Sequence, residues 1–243
     1  MTITLYYLDN SRAMRVLWAA IELGLADQLQ VKSYARVEGK KAVPEMQKES
    51  GFKLGKSPFL IDDDGQGGRV EVFESVACIE YLHDRYGSQS SLLPASPAWS
   101  QKSRVQSWLA FCETPMTHAL PIIYLRWHMP ESQASLLAEM EDKLSANVCK
   151  DLDLYEDAIL ASEKEHGAEN GYLAGGQISL ADLANAFTAE YIIVKKVGTA
   201  NRTWPAVERW LKRLEARPAY RKALEMGGLH DFSLLDLERQ SHA

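Results

Sequence analysis

The stretch Phe59-Leu-Ile-Asp-Asp-Asp-Gly-Gln-Gly-Gly-Arg-Val-Glu-Val-Phe73 decides the fold of the first part of the chain. Its two ends carry β-branched and aromatic residues, and the Asp-Gly and Gly-Gly pairs between them are typical of a tight turn. The stretch is therefore predicted to form an antiparallel hairpin, with strands over residues 59–61 and 69–73.

Extended and helical patterns alternate around this hairpin. Upstream, the spacing of apolar residues predicts a strand over 3–8, a helix from Ala13 to just before Gly24, a weak strand over 30–34 and a helix over 39–50. Downstream, residues 75–86 are predicted to form a helix that Gly87 closes. The order βαβαββα predicts one mixed sheet with helices on its faces, which is the thioredoxin-like layout.

From about residue 97 every periodic stretch is helical. The segment from Gly87 to Pro97 is rich in small and polar residues, so we expect domains over 1–86 and 97–243 joined by a linker over 87–96. Pro115 and Pro121 should kink the first long helix, and a second is expected over 136–161. Further on, Ser179 and Asp182 have the spacing of a helix-capping box.

Composition excludes several classes of protein. The chain has 243 residues, of which 46% are hydrophobic and 25% charged, as in ordinary globular proteins. A net charge of −6 without a basic cluster argues against nucleic-acid partners. No apolar run reaches the ~20 residues of a membrane span, and the first residues lack the pattern of a signal peptide. Three separated cysteines argue against a disulfide framework or a metal site, so we expect a cytoplasmic protein.

Four separated motifs carry a family resemblance: Leu8-Asp-Asn-Ser-Arg-Ala-Met-Arg-Val-Leu-Trp18, Leu54-Gly-Lys-Ser-Pro-Phe-Leu60, Phe73-Glu-Ser75 and Ile178-Ser-Leu-Ala-Asp182. In this order they resemble the cytosolic glutathione transferases, over nearly the whole chain. The first motif most resembles the fungal and bacterial branch typified by the yeast membrane-associated enzymes. The resemblance implies a detoxification enzyme that uses glutathione as co-substrate.

The second and third motifs imply where glutathione binds. A cis peptide before a proline at the start of an exposed strand can turn its backbone polar groups toward a ligand. In the family, the backbone at this position forms hydrogen bonds with the cysteinyl part of glutathione, and the resemblance assigns that role to Ser57 and Pro58. The alternative is an ordinary turn proline. Ser75 begins a helix, and the first N–H groups of that helix are suited to bind the γ-glutamyl carboxylate of glutathione. The resemblance implies that Glu74 binds the ammonium group next to that carboxylate. The alternative for this pair is a simple N-cap.

The sequence indicates less clearly which cation would bind the glycine end of glutathione. The glycine carboxylate is expected to meet a lysine, and the alternative is that these lysines are ordinary solvated side chains. The candidates are Lys41, Lys53 and Lys56. Many relatives carry His or Asn followed by Pro shortly before the Leu-Gly-Lys segment, whereas this chain has Phe52-Lys53, so one contact of the family is in doubt.

Catalysis requires that a thiol of pKa ~8.5 be ionised near neutral pH, which needs a hydrogen-bond donor and positive potential near the sulfur. Ser11, at the junction of the first strand and first helix, supplies both. It could instead only cap the helix. Asn10 is a competing donor, and so is Tyr6, because tyrosine-type relatives carry their phenol in this strand. The first 77 residues contain no cysteine, which favours thiolate addition over a mixed disulfide with the protein.

A second, apolar substrate is expected to bind to the helical domain. Phe111, Thr114 and His118 have the spacing of one face of the first long helix, with Trp127 further along. Core packing is the alternative, especially for Phe111 and Trp127. The tail over 227–243 either folds over this site or extends away from it.

The leading hypothesis is an enzyme that adds the glutathione thiolate to a hydrophobic electrophile, with peroxides as a second substrate class. Two alternatives stay open: a non-catalytic ligand-binding or scaffold protein of the same fold, and a disulfide reductase that uses two glutathione molecules. A homodimer is expected, with Phe52 as an aromatic knob that enters the partner. Alternatively, Phe52 folds back onto its own sheet.

Overall fold

The computed structural model describes residues 2–38, 40–93 and 98–241, with side chains up to residue 237. The chain forms two compact units. The first comprises Met1–Ala95 and Ala216–Asp231, and the second comprises Ser96–Glu215 and Phe232–Ala243. The end of the expected linker, residues 94–96, lies outside the described residues, as do Gly39 and the last two residues of the tail.

The secondary structure follows the expected order. The strands are β1 (Thr2–Leu8), β2 (Leu29–Tyr34), β3 (Arg36–Val37), β4 (Lys41–Ala42), β5 (Phe59–Asp63) and β6 (Arg69–Phe73). The helices are α1 (Ala13–Glu22), α2 (Pro44–Ser50), α3 (Ser75–Tyr86), α4 (Trp99–Phe111), α5 (Thr114–His128), α6 (Ala134–His166), α7 (Leu180–Val194), α8 (Pro205–Glu215), α9 (Pro218–Met226) and α10 (Leu234–Ser241).

The main sheet of the first unit has the strand order β2-β1-β5-β6. Strand β1 pairs in parallel with β2 and antiparallel with β5, and β5 pairs antiparallel with β6 through the expected turn. The parallel pair requires a crossover, which α1 supplies. This confirms the thioredoxin-like domain followed by an all-helical one.

The helix expected over 39–50 is shorter than predicted. It begins only at Pro44, and Lys41–Ala42 instead forms a two-stranded ribbon with Arg36–Val37. The physical reason is the proline, whose ring disfavours a helical conformation in the preceding residue. Val43 is accordingly extended, with φ −72° and ψ 145°. The helix ends at Gly51, whose φ of 70° is the left-handed conformation that glycine adopts without strain.

Helix α1 is the centre of the first unit. Eight consecutive residues of α1, from Ala13 to Ala20, are buried, and all except Arg15 are apolar. Helix α1 packs against α3 and α9. Trp18 meets Tyr220 edge-on at 5.2 Å, and Arg217 forms an ion pair with Glu22 at 2.6 Å. Residues 216–231 therefore group with the first unit, although the sequence analysis assigned them to the helical domain.

The first long helix of the second unit is interrupted, as the prolines predict. Helix α4 ends at Phe111, and α5 begins at Thr114 with Pro115 in its first turn, whereas Pro121 lies inside α5 without ending it. Phe111 consequently lies on a different helix from Thr114 and His118. The expectation of one shared helical face was wrong for Phe111, because the interruption resets the helical spacing. The second long helix is longer than the expected 136–161.

The capping box at the start of α7 is present. The carboxylate of Asp182 accepts the Ser179 N–H at 2.9 Å, as predicted. It also accepts hydrogen bonds from the backbone N–H of Leu173 at 2.9 Å and from the indole of Trp210 at 3.0 Å. Asp182 is fully buried, so it joins α7 to α8 and to the preceding loop as well as capping its own helix.

Candidate active site

Ser11 lies between β1 and α1 and is 6% exposed. Its Oγ accepts the Ala13 N–H at 3.3 Å and lies 3.3 Å from the Oγ of Ser57. The Ser57 hydroxyl donates to the Tyr6 carbonyl at 2.9 Å and accepts from the Leu8 N–H at 3.0 Å. A hydroxyl has one proton to donate, and Ser57 donates its proton to the Tyr6 carbonyl. Ser11 is therefore the donor in the contact between the two serines.

The hydrogen bond that Ser11 donates to Ser57 can be exchanged for a stronger one. Both contacts of its oxygen are at the long end of the hydrogen-bond range, so the hydroxyl can turn toward a stronger acceptor such as a thiolate. The same oxygen also accepts a backbone N–H at the start of α1. The helix-capping role and the donor role that the sequence analysis weighed are therefore compatible.

The Ser57-Pro58 peptide is cis, as the sequence predicted. Pro58 is buried directly before β5, and Ser57 is half-buried. The side chain of Ser57 holds the end of β1 through the two hydrogen bonds to Tyr6 and Leu8. The second and first motifs thus meet at one place in the fold.

Ser75 is the first residue of α3 and is 3% exposed. Its Oγ accepts a hydrogen bond of 3.0 Å from Nη1 of Arg15, a guanidinium that is itself only 1% exposed. Glu74 precedes the helix with a φ of 68°, and its side chain is exposed. The helix N-terminus and the buried guanidinium together create positive potential at Ser75.

Arg15 is a further candidate site residue, which was not among the residues predicted from the sequence. The signal was a single arginine within the apolar run from Ala13 to Trp18, in the first turn of the helix that follows Ser11. Burying a guanidinium without strong partners is costly, so a buried arginine in an apolar helix indicates a specific polar environment.

The two competing thiolate donors have partners elsewhere. The Tyr6 hydroxyl donates to the Glu49 carbonyl at 3.0 Å, and its ring packs on Tyr34 and Phe59. Asn10 has a left-handed φ of 49°, and its Oδ1 accepts an N–H from Asp231 at 3.1 Å, which orients the amide without using its N–H donors. The Tyr6 hydroxyl already has an acceptor, so the Ser11 hydroxyl and the Asn10 amide are the two remaining donor candidates.

Phe52, Lys53 and Lys56 lie in the loop between α2 and β5, and Lys41 lies in β4. The side chains of Lys41, Lys53 and Lys56 are all exposed, and Lys56 directly precedes Ser57. Phe52 is partly buried and stacks on Phe59 at 4.6 Å and on Phe73 at 5.4 Å. Within the single chain, Phe52 thus has the arrangement that the sequence analysis gave as the alternative to a knob.

The four residues expected to bind the second substrate have different surroundings. Phe111 is partly buried and meets the rings of Trp108 and Tyr155 edge-on at 5.5 Å. Trp127 contacts Tyr124 at 5.6 Å. Thr114 and His118 share a face of α5, one turn apart.

His118 has a close acidic partner. Its Nδ1 lies 2.6 Å from Oδ2 of Asp151 on α6, and Asp151 is mostly buried. Burial raises the pKa of the Asp151 carboxyl, and the hydrogen bond with His118 opposes that rise. The acidic partner fixes the ring of His118, which remains partly exposed.

Cys78 lies in α3. Cys78 is fully buried, and burial raises the pKa of its thiol to about 12. Such a cysteine is unreactive at neutral pH. Across residues 2–38, 40–93 and 98–241, no group of three or more His, Cys, Asp or Glu side chains is placed to hold a metal ion. No helix within those ranges has the length and apolarity needed to cross a membrane.

Comparison with known proteins gives a consistent result. Residues 128–218 match the family described as Glutathione S-transferase, C-terminal domain. The chain is 28% identical to glutathione S-transferase 3 of Schizosaccharomyces pombe, over 99% of this chain and 94% of that protein. It is 26% identical to glutathione S-transferase 1 of Saccharomyces cerevisiae, over 92% of this chain and 94% of that one. A solved glutathione S-transferase from Actinobacillus pleuropneumoniae is 28% identical, with a TM-score of 0.72 over 96% of both chains.

The fold defines a class of enzymes that join a thioredoxin-like domain to an all-helical one. Within that class, the relatives match nearly the full length of the chain and share one family name. The chain is similar to glutathione S-transferases over nearly its whole length, and it is a transferase enzyme.

Proposed function

We propose that the protein activates the thiol of glutathione with Ser11 and transfers the sulfur to a small hydrophobic electrophile. The observation that carries this proposal is the Ser11 hydroxyl, which is buried beside the N-terminus of α1 and has a proton available for a thiolate. A hydrogen bond and a helix dipole both stabilise the thiolate relative to the thiol, so they lower the thiol pKa from ~8.5 toward neutrality.

The rest of glutathione is assigned to the residues around Ser11. The cysteinyl backbone pairs with the backbone of Ser57 before cis Pro58. The γ-glutamyl carboxylate binds Ser75 and the first N–H groups of α3, where Arg15 adds positive charge. Glu74 meets the ammonium group, and Lys56, Lys41 or Lys53 meets the glycine carboxylate.

The electrophile is assigned to the helical domain over residues 97–243. We propose Phe111, Thr114, His118 and Trp127 as its binding residues, with the aromatic rings for an apolar body and His118 for a polar group. Under this proposal residues 1–86 form the glutathione-binding domain and residues 87–96 the linker. Peroxides are a second acceptor class, because a thiolate also attacks the O–O bond.

Three further proposals concern the branch of the family, the cellular location and the oligomeric state. Asn10-Ser11-Arg12 followed by Val16-Leu17-Trp18 supports the branch typified by the yeast membrane-associated enzymes. The cysteine usage supports a cytoplasmic location. Phe52 supports a homodimer, in which its ring contacts the second copy.

Parallel assays with a chlorodinitrobenzene-type electrophile, an organic peroxide and a glutathionyl disulfide test the proposal. We expect turnover of the electrophile, and loss of that turnover in Ser11→Ala. Turnover of the disulfide alone would favour the reductase that uses two glutathione molecules. Glutathione binding without turnover of any of the three would favour a non-catalytic protein and overturn the proposal.

A further inference from the structure

A segment near the C-terminus contacts the loop that carries Ser11. This segment, residues 227–231, is called the strap below. The Asn10 N–H donates to the Leu229 carbonyl at 2.7 Å, and the Leu229 N–H donates to Oδ1 of Asp9 at 2.8 Å. The Asp231 N–H donates to Oδ1 of Asn10 at 3.1 Å. Three hydrogen bonds therefore join the strap to Asp9 and Asn10.

Arg36 holds the same loop. Its Nε donates to the Asp9 carbonyl at 2.7 Å, and its Nη2 donates to the Asn10 carbonyl at 3.2 Å. The Asp9 N–H donates to the Tyr34 carbonyl at 2.9 Å. All four backbone polar groups of Asp9 and Asn10 are thus bonded, two of them to Arg36 and one to the strap.

The strap approaches the loop closely because residue 228 is a glycine. A Cβ built on Gly228 would lie 2.2 Å from Oδ1 of Asp9 and 3.3 Å from the ring of Tyr7, so a larger residue would displace one of them. Asn10 also has a positive φ, which costs free energy in a residue other than glycine and persists only where surrounding contacts hold it. The bonds from Arg36 and the strap are such contacts.

We propose that Asp9 and Arg36 are positioning residues for Ser11, and that the strap is part of the thiol-activating site. Ser11 follows Asn10 directly, so the conformation of the two loop residues sets the direction of its Oγ. A loop released from the strap would let Ser11 move relative to the sulfur and weaken the hydrogen bond that stabilises the thiolate. This inference rests on the proposed function of Ser11.

The experiment measures the pKa of the glutathione thiol bound to the enzyme, by its ultraviolet thiolate absorbance, together with the dissociation constant of glutathione. The test variants are Gly228→Ala, Asp9→Ala and Arg36→Met. Glu225→Ala is the matched control, because the Glu225 side chain is exposed on α9, two residues before the strap, and supplies none of the bonds described for the loop. Asp9→Asn keeps an acceptor oxygen and should restore most of the wild-type behaviour.

We expect the test variants to lower the thiolate fraction at neutral pH about threefold to tenfold, as the weakening of one hydrogen bond predicts. The dissociation constant at neutral pH should rise by no more than the factor by which the thiolate fraction falls, and Glu225→Ala should match the wild type. A merely structural strap would lower the melting temperature and leave the thiol pKa unchanged, and that result in Gly228→Ala and Asp9→Ala would overturn the inference. If one variant does not fold, the others decide.

The wild type separates this inference from the proposed function. A wild-type complex whose thiol pKa equals that of free glutathione would contradict thiol activation itself. A lowered thiol pKa that Ser11→Ala raises, and that the strap variants leave unchanged, would retain the proposed function and reject the strap alone.

Discussion

The first prediction concerns the hydroxyl of Ser11 and its effect on the pKa of the bound thiol. Ser11→Ala removes the donor to the thiolate, so the pKa of the bound thiol should rise while the affinity for glutathione stays nearly intact. Titration of the ultraviolet thiolate absorbance measures the first, and calorimetry the second. Ser11→Thr keeps the hydroxyl and serves as the control. An unchanged thiol pKa in the alanine variant would leave Ser11 as a helix cap, and Asn10 or Tyr6 would take the donor role.

The second prediction concerns the contribution of Arg15 to the affinity for glutathione. Arg15→Met keeps much of the apolar stem but removes the hydrogen bond of 3.0 Å to Ser75 and the buried positive charge. A hydrogen bond to a charged group contributes ~1.5 to 3 kcal/mol, so the dissociation constant of glutathione should rise by at least about tenfold. Arg15→Lys keeps the charge and should lose less. A lower melting temperature with unchanged glutathione affinity would show that Arg15 acts only on the fold.

The residue scale also shows what local sequence can predict. Ser11, the cis Ser57-Pro58 peptide and the Ser179 box follow from short motifs, and the structure places a serine, a cis peptide and a capping box there. The partners of Arg15 and Asn10 come from residues 60 and more than 200 positions away, Ser75 and Asp231. No short motif contains both members of such a pair, so the partners of Arg15 and Asn10 could not be predicted from the sequence.

At the scale of the element, the start of α7 makes a stability prediction. As a cap alone, the Asp182 carboxylate would contribute ~0.5 to 2 kcal/mol to the free energy of unfolding. The structure adds Leu173 and Trp210 as donors. Asp182→Ala would leave these and the Ser179 donors buried and unpaired, at ~1 to 3 kcal/mol per group, so we expect a loss above about 4 kcal/mol.

Chemical denaturation measures this loss, with Asp182→Asn as an intermediate control because its amide keeps one acceptor. Turnover per folded molecule should be nearly unchanged, since Asp182 caps a helix and touches no residue assigned to glutathione. A loss below about 2 kcal/mol would reduce Asp182 to a simple cap. A variant of wild-type stability without activity would instead give its carboxylate a functional role.

The start of α10 predicts a dependence of stability on pH. The Glu215 carboxylate accepts hydrogen bonds from the Ser233 hydroxyl and from the backbone N–H groups of Leu234 and Leu235. Burial, and then the nearby Glu190, raise the pKa of Glu215 from 4.5 to about 7. Between these values the unfolded chain has released the proton while the folded chain retains it. The free energy of unfolding therefore falls as the pH rises from about 4.5 to 7.

The size of the fall is roughly 3 kcal/mol, at about 1.4 kcal/mol per pKa unit. Glu215→Gln cannot titrate, so its stability relative to the wild type should increase by about this amount between pH 5 and pH 8. Thermal or urea unfolding across that range measures the difference, and Glu225→Gln, at an exposed position, is the control. Parallel pH profiles for the wild type and Glu215→Gln would contradict the prediction.

The elements themselves were predictable to different degrees. The hairpin and α3 follow from strong local signals, namely the glycine-rich turn and the closing Gly87, and the structure has them within two residues of the expected bounds. Helix α2 was expected too early, because the weight given to helical periodicity over 39–50 ignored the effect of Pro44 on Val43. The ribbon of β3 and β4 was missed, since two-residue strands carry no periodicity.

At the scale of the whole molecule, the division of the chain was only partly visible in its sequence. The change from mixed to all-helical patterns near residue 97 is a local signal. The grouping of Ala216–Asp231 with the first unit depends on Tyr220 and Arg217, which contact Trp18 and Glu22 about 200 positions earlier. Helical periodicity identifies α9 as a helix but does not say which unit it packs against.

The last prediction concerns assembly. A homodimer with twofold symmetry would bury two copies of any interface residue, and Phe52 is the proposed contact. In the single chain its ring stacks on Phe59 and Phe73, and Phe73 is 51% exposed, so an aromatic surface remains for a second copy. Burying a Phe contributes ~1.5 to 3 kcal/mol, so Phe52→Ser should weaken dimerisation by up to ~3 to 6 kcal/mol over both sites.

Because Phe52 already contacts its own sheet, part of this effect should appear as a lower melting temperature of the monomer. Sedimentation equilibrium at micromolar concentration separates the two contributions. Leu160→Ser, which removes a 45% exposed side chain from α6, is the control for a loss of surface hydrophobicity. A dimer in the wild type that becomes a folded monomer in Phe52→Ser is the expected result. A wild-type monomer, or a variant that melts earlier but keeps the mass of a dimer, would assign Phe52 to its own sheet alone.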